Sequence, residues 1–170
     1  MNHEELLEIV NEHGDMIGSA PRSVVHGDPS LIHRVVHVLV FNTEDDLLLQ
    51  KRSYTKDVAP GRWDTSVGGH VGFGENVIIS SKREMEEELG IVGYEPEYLY
   101  SYIHSNSYET ELVMSYRCIY EGKINFNREE IDEVRFWSFD DIRDVLGKKI
   151  LSDNFEYEFQ TYLNFSGLQF

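Results

Sequence analysis

Cysteine is nearly absent from this chain: Cys118 is the single one in 170 residues. No internal disulfide can brace the fold, and a reducing compartment suits it. Cys118 lies in the alternating run MSYRCIY and reads as ordinary packing. Basic residues are also scarce, with 15 Lys and Arg against 31 Asp and Glu, for a net charge of −16. Nucleic acid polymers are bound through Lys and Arg patches, so that balance argues against one as partner. A small phosphorylated ligand remains compatible if a cation bridges it to acidic groups. No apolar run approaches the roughly 18 residues a membrane-spanning helix needs, so no membrane partner is expected. The opening MNHEELLEIV is acidic and has neither the basic nor the apolar region of a signal peptide, and a cytoplasmic location is the expectation. Repeats, low-complexity tracts and linkers are lacking as well. One domain over residues 1–170, with a single core, follows from the 41% hydrophobic content.

The order of patterns along the chain implies a mixed α and β fold. Residues 6–10 and 16–18 read as a hairpin turning near Gly14, which Arg22 to His26 continues. LIHRVVHVLVF, residues 31–41, is a β-branched run expected as a central strand, and Leu47 to Arg52 is the next strand. Pro60-Gly61 marks a loop, after which Trp63 to Val67 is one short extended segment leading into Gly68-Gly69. Residues 97–104 and 111–120 are two more strands, and 131–139 is the last. Ser138 caps a helix to Leu146, with Asp140 and Asp141 in its first turn, and residues 153–165 form a terminal helix packed on the sheet.

Residues 69–91, GHVGFGENVIISSKREMEEELGI, carry the strongest signal. From Glu75 to Leu89 there is neither Pro nor Gly, and Gly90 stands where a left-handed residue would end a helix. At about 100° per residue, Ile78, Met85 and Leu89 share one stripe and Glu84, Glu87 and Glu88 cluster on a neighbouring face. Three carboxylates near a helix C-terminus oppose the macrodipole and repel one another. A hard divalent cation such as Mg2+ or Mn2+ would remove the conflict; a solvated acidic face is the other reading.

The spacing glycine, five residues, glutamate, seven residues, Arg83-Glu84-Met85-Glu86-Glu87-Glu88-Leu89-Gly90-Ile91 fills every position of the Nudix box. The chain therefore resembles the Nudix hydrolases. That resemblance implies an α/β/α sandwich around a mixed sheet, an α/β (α+β) fold, and hydrolysis of a diphosphate bond in a small molecule. It further implies Mg2+ or Mn2+ held by Glu84, Glu87 and Glu88, Arg83 orienting these carboxylates with Glu75 as its partner, and a homodimer by analogy. Gly68 and Gly69 would let the backbone approach the substrate. The general base is left open between Glu87, Glu109, Glu111 and Glu133. Lys51, Arg52 and Lys56 lead the candidates for phosphate contacts, ahead of Arg22, Arg34 and Arg62, and Trp63, Tyr102 and Tyr108 could stack on a base or prenyl chain.

Segments outside the box are similar to one branch of the superfamily, the type 1 isopentenyl-diphosphate isomerases. These are IVNEHGDMIGSAPRSVVH, LIHRVVHVLVFN, LLLQKRSYTKDVAPGRWDTSVGGH and the pair Glu109 and Glu111. By that resemblance His26, His33, His70, Glu109 and Glu111 match the metal ligands. The isomerases' catalytic cysteine falls on Gly68, and the box, degraded in the isomerases, is intact here. Both departures favour hydrolysis over isomerisation. Without the resemblance, His26 and His33 read equally as surface or strand-end residues, and Glu109 with Glu111 as a solvated face. His37, inside the central strand, reads as a satisfied buried side chain.

Overall fold

The computed structural model describes residues 3–168. Strands β1 (Leu6–Val10) and β2 (Met16–Pro21) form the expected hairpin. It turns at Gly14, which takes a φ of 84°. The hairpin does not continue through His26. Residues Arg22–Val25 instead form a single turn, α1, after Pro21 at φ −61°. The Ser23 amide donates to Glu4 Oε1 at 2.7 Å and Arg22 to Glu5 O at 2.9 Å, so the chain turns back on β1. His26, its amide bonded to Arg22 O, ends that turn.

Strand β3 (Ile32–Phe41) is the hub, followed by β4 (Leu47–Arg52), β5 (Trp63–Asp64) and β6 (Val67–His70). The single extended segment expected at residues 63–67 is therefore two strands. Asp64 Oδ1 accepts from the Thr65 amide at 2.7 Å, and buried Ser66 Oγ accepts from Val40 N at 3.0 Å; these bonds break the run. β6 carries Gly68, Gly69 and His70. Helix α2 (Val77–Leu89) starts two residues later than the sequence suggested, because Asn76 caps it through Oδ1 to Ile78 N at 2.8 Å. It stops at Gly90, whose φ of 67° is the left-handed value expected there.

Strands β7 (Glu97–Ser105), β8 (Thr110–Ile119) and β9 (Ile131–Trp137) precede α3 (Phe139–Val145), capped by Ser138, and α4 (Asp153–Ser166), capped by Ser152. β3 pairs with β8 in parallel along its whole length. Its other edge is shared in turn by β1, β6 and β4, all antiparallel, so the sheet is mixed. Side chains alternate across β3. Val36, Val38 and Val40 pack with Met85 and Leu89 of α2 on one face. Leu39 and Phe41 pack with Ile142 of α3 and Phe155, Phe159 and Leu163 of α4 on the other. The result is the α/β/α sandwich expected from the resemblance. Among the described residues no helix is long and apolar enough to cross a membrane.

Cys118 is buried in the α2-side core, opposite Val40, and burial pushes its thiol up to about 11. Alkylation by iodoacetamide at pH 8 should therefore run about 10²-fold slower in the native chain than in urea, since only the thiolate reacts. Equal rates would contradict this packing.

Candidate functional site

Two sets of side chains meet around β6. The first belongs to α2 and is organised by Arg83. Its Nε and Nη2 donate to the two oxygens of Glu75 at 2.9 and 3.0 Å, a bidentate pair. Its Nη1 donates to Glu84 Oε1 at 2.7 Å and Glu87 Oε2 at 3.3 Å, and Nη2 also reaches the His70 carbonyl at 3.2 Å. This fork ties the loop before α2, the helix and β6 together. The hydrogen bond from Arg83 holds the Glu75 carboxyl down at about 2. Burial pushes Glu84 up, against the opposing pull of Arg83.

The acidic face of α2 is not uniformly solvated. Glu87 is exposed, whereas Glu88 is turned inward, where its Oε2 accepts from Gly68 N and Gln50 Nε2, each at 3.1 Å. Burial, with the Glu84 charge added, pushes Glu88 well above the usual carboxylate range. Gly69 is where α2 comes closest to the sheet: a Cβ there would lie 2.2 Å from the Glu84 carboxyl carbon. The helix can seat its carboxylates against β6 because position 69 has no side chain.

The second set lies on the α4 face of the sheet. His33 of β3, His70 of β6 and Glu111 of β8 are placed on one face by register, His33 opposite Glu111 and Val35 opposite His70. α1 delivers His26, and the turn before β8 delivers Glu109. His26 Nε2 lies 3.2 Å from both His70 Nε2 and Glu109 Oε2, and His33 Nε2 lies 3.6 Å from Glu109 Oε2 and 4.0 Å from Glu111 Oε1. Ligand-type atoms of His26, His33 and His70, and of His33, Glu109 and Glu111, come within 4.8 Å of one another. The glutamates of α2 form no such group among the described residues.

Both His33 ring nitrogens and Glu109 Oε2 are buried without a hydrogen-bond partner. Such orphaned atoms are costly in a purely structural site. Burial and the neighbouring imidazoles hold His33 at about 3 and His26 at about 4, and burial with the Glu109 charge raises Glu111 to about 7. Neutral imidazoles beside closely packed carboxylates are the donor set that a divalent cation takes, so the residues present fit one.

The candidate phosphate contacts are otherwise engaged. Arg52 pairs with Asp64 at 3.4 Å and donates to Val58 O, while Lys51 lies over the Tyr54 ring at 5.6 Å and opposite Glu133 of β9 in register. Arg22, Arg34, Lys56 and Arg62 pair with Glu5, Glu8, Glu130 and Asp153. Of these cations Arg22 is near enough to the second set for its charge to act on Glu109 and His26. Trp63 is buried against Trp137, and Tyr108 is exposed beside the His26 ring at 5.5 Å.

The sequence reading missed Glu158. It is fully buried on α4, bonded through Oε2 to His37 Nδ1 at 2.9 Å and through Oε1 to Tyr100 Oη at 2.6 Å; Tyr102 Oη also donates to it. One signal could have found it: Glu158 falls on the apolar stripe of Phe155, Phe159 and Tyr162, where an unpartnered carboxylate would not be tolerated. Its partner His37 is buried, as expected, with Nδ1 held by Glu158 and no hydrogen bond to Nε2 among the described residues.

A family model described as the NUDIX domain matches residues 31–157. The chain belongs to the Nudix hydrolase family. It is 32% identical to Nudix hydrolase 3 of Arabidopsis thaliana over 86% of its own length, although it spans 21% of that protein. It is 32% identical to the Nudix hydrolase YfcD of Escherichia coli K12, covering 76% of this chain and 72% of YfcD. An isopentenyl-diphosphate Delta-isomerase of Streptomyces avermitilis is 38% identical over 51% of this chain and 44% of its own. Among solved structures, DR0079 of Deinococcus radiodurans superposes with a TM-score of 0.79 over 92% of this chain and 98% of its own, at 23% identity. The NUDIX domain of Shewanella oneidensis NrtR, solved with ADP ribose, gives a TM-score of 0.61 over 77% of this chain and 86% of its own, at 16% identity. These two likenesses are of fold.

Proposed function

We propose that this Nudix domain hydrolyses a diphosphate linkage in a small molecule, X-diphosphate-Y plus water, with Mg2+ or Mn2+ as cofactor. The observation that carries the reading is the Arg83 fork, which gathers Glu75, Glu84 and Glu87 at 2.7–3.3 Å beside β6. Glu84, Glu87 and Glu88 would hold a divalent ion there, which when bound supplies charge neutralisation to the diphosphate oxygens. His26, His33, His70, Glu109 and Glu111 would hold another. Arg83 keeps Glu84 and Glu87 oriented, and the two glycines of β6 shape the wall on which the ligand lies. Glu87, exposed and held by Arg83 at 3.3 Å, would take the proton from the attacking water; Glu111, at about 7, is the second candidate base. Glu133 lies on β9 across from Lys51, apart from both sets.

The test is release of phosphate or monophosphate from a panel of nucleoside, sugar, prenyl and dinucleotide diphosphates, with ADP ribose included, in Mg2+, in Mn2+ and in chelator. Metal-dependent cleavage of a panel member is the expected result; no cleavage of any member would sink the reading. A second reading, isopentenyl-diphosphate isomerisation, is favoured by the His and Glu cluster and opposed by Gly68, and runs as a parallel arm of the same assay.

The cluster makes its own prediction. At about 100 times its dissociation constant, Mn2+ should stabilise the fold by about 2.7 kcal/mol, a rise in Tm of about 5–10 °C for a domain this size. Glu109→Gln and His70→Asn should each remove most of that rise, and an unchanged rise in both would refute the ligand set. The shift should also shrink below pH 7, because Glu111, raised to about 7, must lose its proton before it can ligate. Without metal, the depressed His26 and His33 should favour the fold less as pH drops from 6.5 toward 4, since they stay neutral when folded but take up protons when unfolded, whereas Glu111, raised to about 7, acts the other way over the same window; Glu111→Gln should therefore steepen the loss of stability on acidification.

A further inference from the structure

The pair formed by His37 and Glu158 has no part in the proposed reaction, yet His37 lies against the same strand, β6. His37 lies in β3 opposite Gly68 of β6 and on the face that carries His33. One edge of its ring is anchored: Nδ1 meets Glu158 Oε2 at 2.9 Å, and Glu158 is held in turn by Tyr100 and Tyr102 of β7. Among the described residues the other edge, Nε2, has no hydrogen-bond partner. A Cβ at position 68 would lie 3.3 Å from His37 Cδ2 and 3.6 Å from Nε2, so the ring packs against Gly68 with no side chain between them. Gly68 is also the residue whose amide binds Glu88 of the box at 3.1 Å. A single residue of β6 therefore touches the box carboxylates through its N–H and His37 through its Cα face.

Burial alone would lower His37, but the hydrogen bond and charge of Glu158 outweigh it, with Glu111 of β8 and Asp64 of β5 adding to the effect, so the imidazole is raised. The same pair keeps Glu158 below the usual carboxylate range despite its burial. The two groups thus hold each other charged, and a ring fixed in this way keeps Nε2–H as a free donor beside Gly68. Such an N–H is a donor suited to an anion.

We propose that His37 is a substrate-contacting residue: its Nε2–H, aimed across Gly68, hydrogen-bonds an anionic oxygen of the phosphorylated ligand, and Glu158 is the positioning residue that fixes the ring. This rests on the diphosphate reading above. The position held by a thiol in the isomerases is then not left without a polar group, because the imidazole stands against the space that a side chain at 68 would fill.

The test uses methylenediphosphonate, which cannot be hydrolysed at its bridge, with Mg2+, titrated by calorimetry into the full chain. His37→Gln should weaken binding about 10-fold or more, the loss of one charge-assisted hydrogen bond. Gly68→Ala, which covers the Nε2 edge from the opposite strand, should weaken it comparably and carries the test if His37→Gln does not fold. Glu158→Gln should keep the ring in place but let it deprotonate sooner, so affinity should fall away at lower pH than in the parent chain. In nitrogen-15 NMR spectra the His37 Nε2 resonance should move on adding the diphosphonate, which a purely structural histidine would not do. Affinity within twofold of the parent in both His37→Gln and Gly68→Ala with native circular dichroism, an unmoved His37 resonance, or no binding to the parent at millimolar probe would each overturn the proposal. Probe binding that depends on His37 while no panel diphosphate is cleaved would sink the hydrolase reading and leave this one standing.

Discussion

Gly69→Ala is expected to leave the chain folded and to lower diphosphate hydrolysis about 100-fold or more, on the scale seen when a catalytic group moves by about 1 Å. The methyl would lie 2.2 Å from the Glu84 carboxyl carbon and 2.3 Å from Oε1, so one of them must move. The backbone is the stiffer partner: β6 is locked to β3 at four consecutive positions, Val67 to His70. Glu84 is the far end of a flexible side chain, so it swings away, breaking its 2.7 Å bond to Arg83. Global stability should fall only modestly, because the displaced carboxylate can reach solvent. Circular dichroism and thermal melting alongside turnover would check this, and full activity in a folded Gly69→Ala chain would show that Glu84 is not needed where it stands.

Glu87→Gln should cost about 10²- to 10³-fold in turnover, the range for removing one preorganised electrostatic group, with no measurable change in the melting temperature. Glu87 is exposed, and its 3.3 Å pair with Arg83 one helical turn away contributes little to stability. An amide keeps the shape and removes both the proton acceptor and the charge. Retained turnover would move the base to Glu111, where Glu111→Gln becomes the deciding variant. Inactivity of Glu87→Gln together with unfolding would contradict the exposed placement.

The parts of this molecule that were legible in the sequence are those that local rules govern. The helix read over residues 75–89, observed over 77–89, is marked by its box, its apolar stripe and Gly90, and the α3 cap by Ser138, because caps and periodicity act over a few residues. The pairing of Glu75 with Arg83 came from the motif resemblance, and the two are bonded. What local rules do not set was missed or misplaced. Residues 22–25 were expected as strand, and their turn depends on Glu4 and Glu5 across the hairpin. The division of residues 63–70 into two strands depends on Ser66 meeting Val40. By helical spacing Glu88 is one of three equivalent carboxylates, and only the tertiary contact with Gln50 of β4 sets it apart. Lys51 and Arg52 stood out by scarcity of positive charge, yet that scarcity gives each cation an acidic neighbour to compete for it, and Arg52 is bound to Asp64.

The parallel pairing of β3 with β8 has a consequence for how the chain reaches this structure. Residues 32–41 must find residues 110–119 in register, which closes a long loop before the contact is rewarded. His33 sits on one of these strands and Glu111 on the other, so the two share a face only once that slow, non-local step has occurred. Any cation captured by the cluster would therefore bind late in folding. In stopped-flow refolding, its uptake should lag behind helix formation measured by far-ultraviolet circular dichroism.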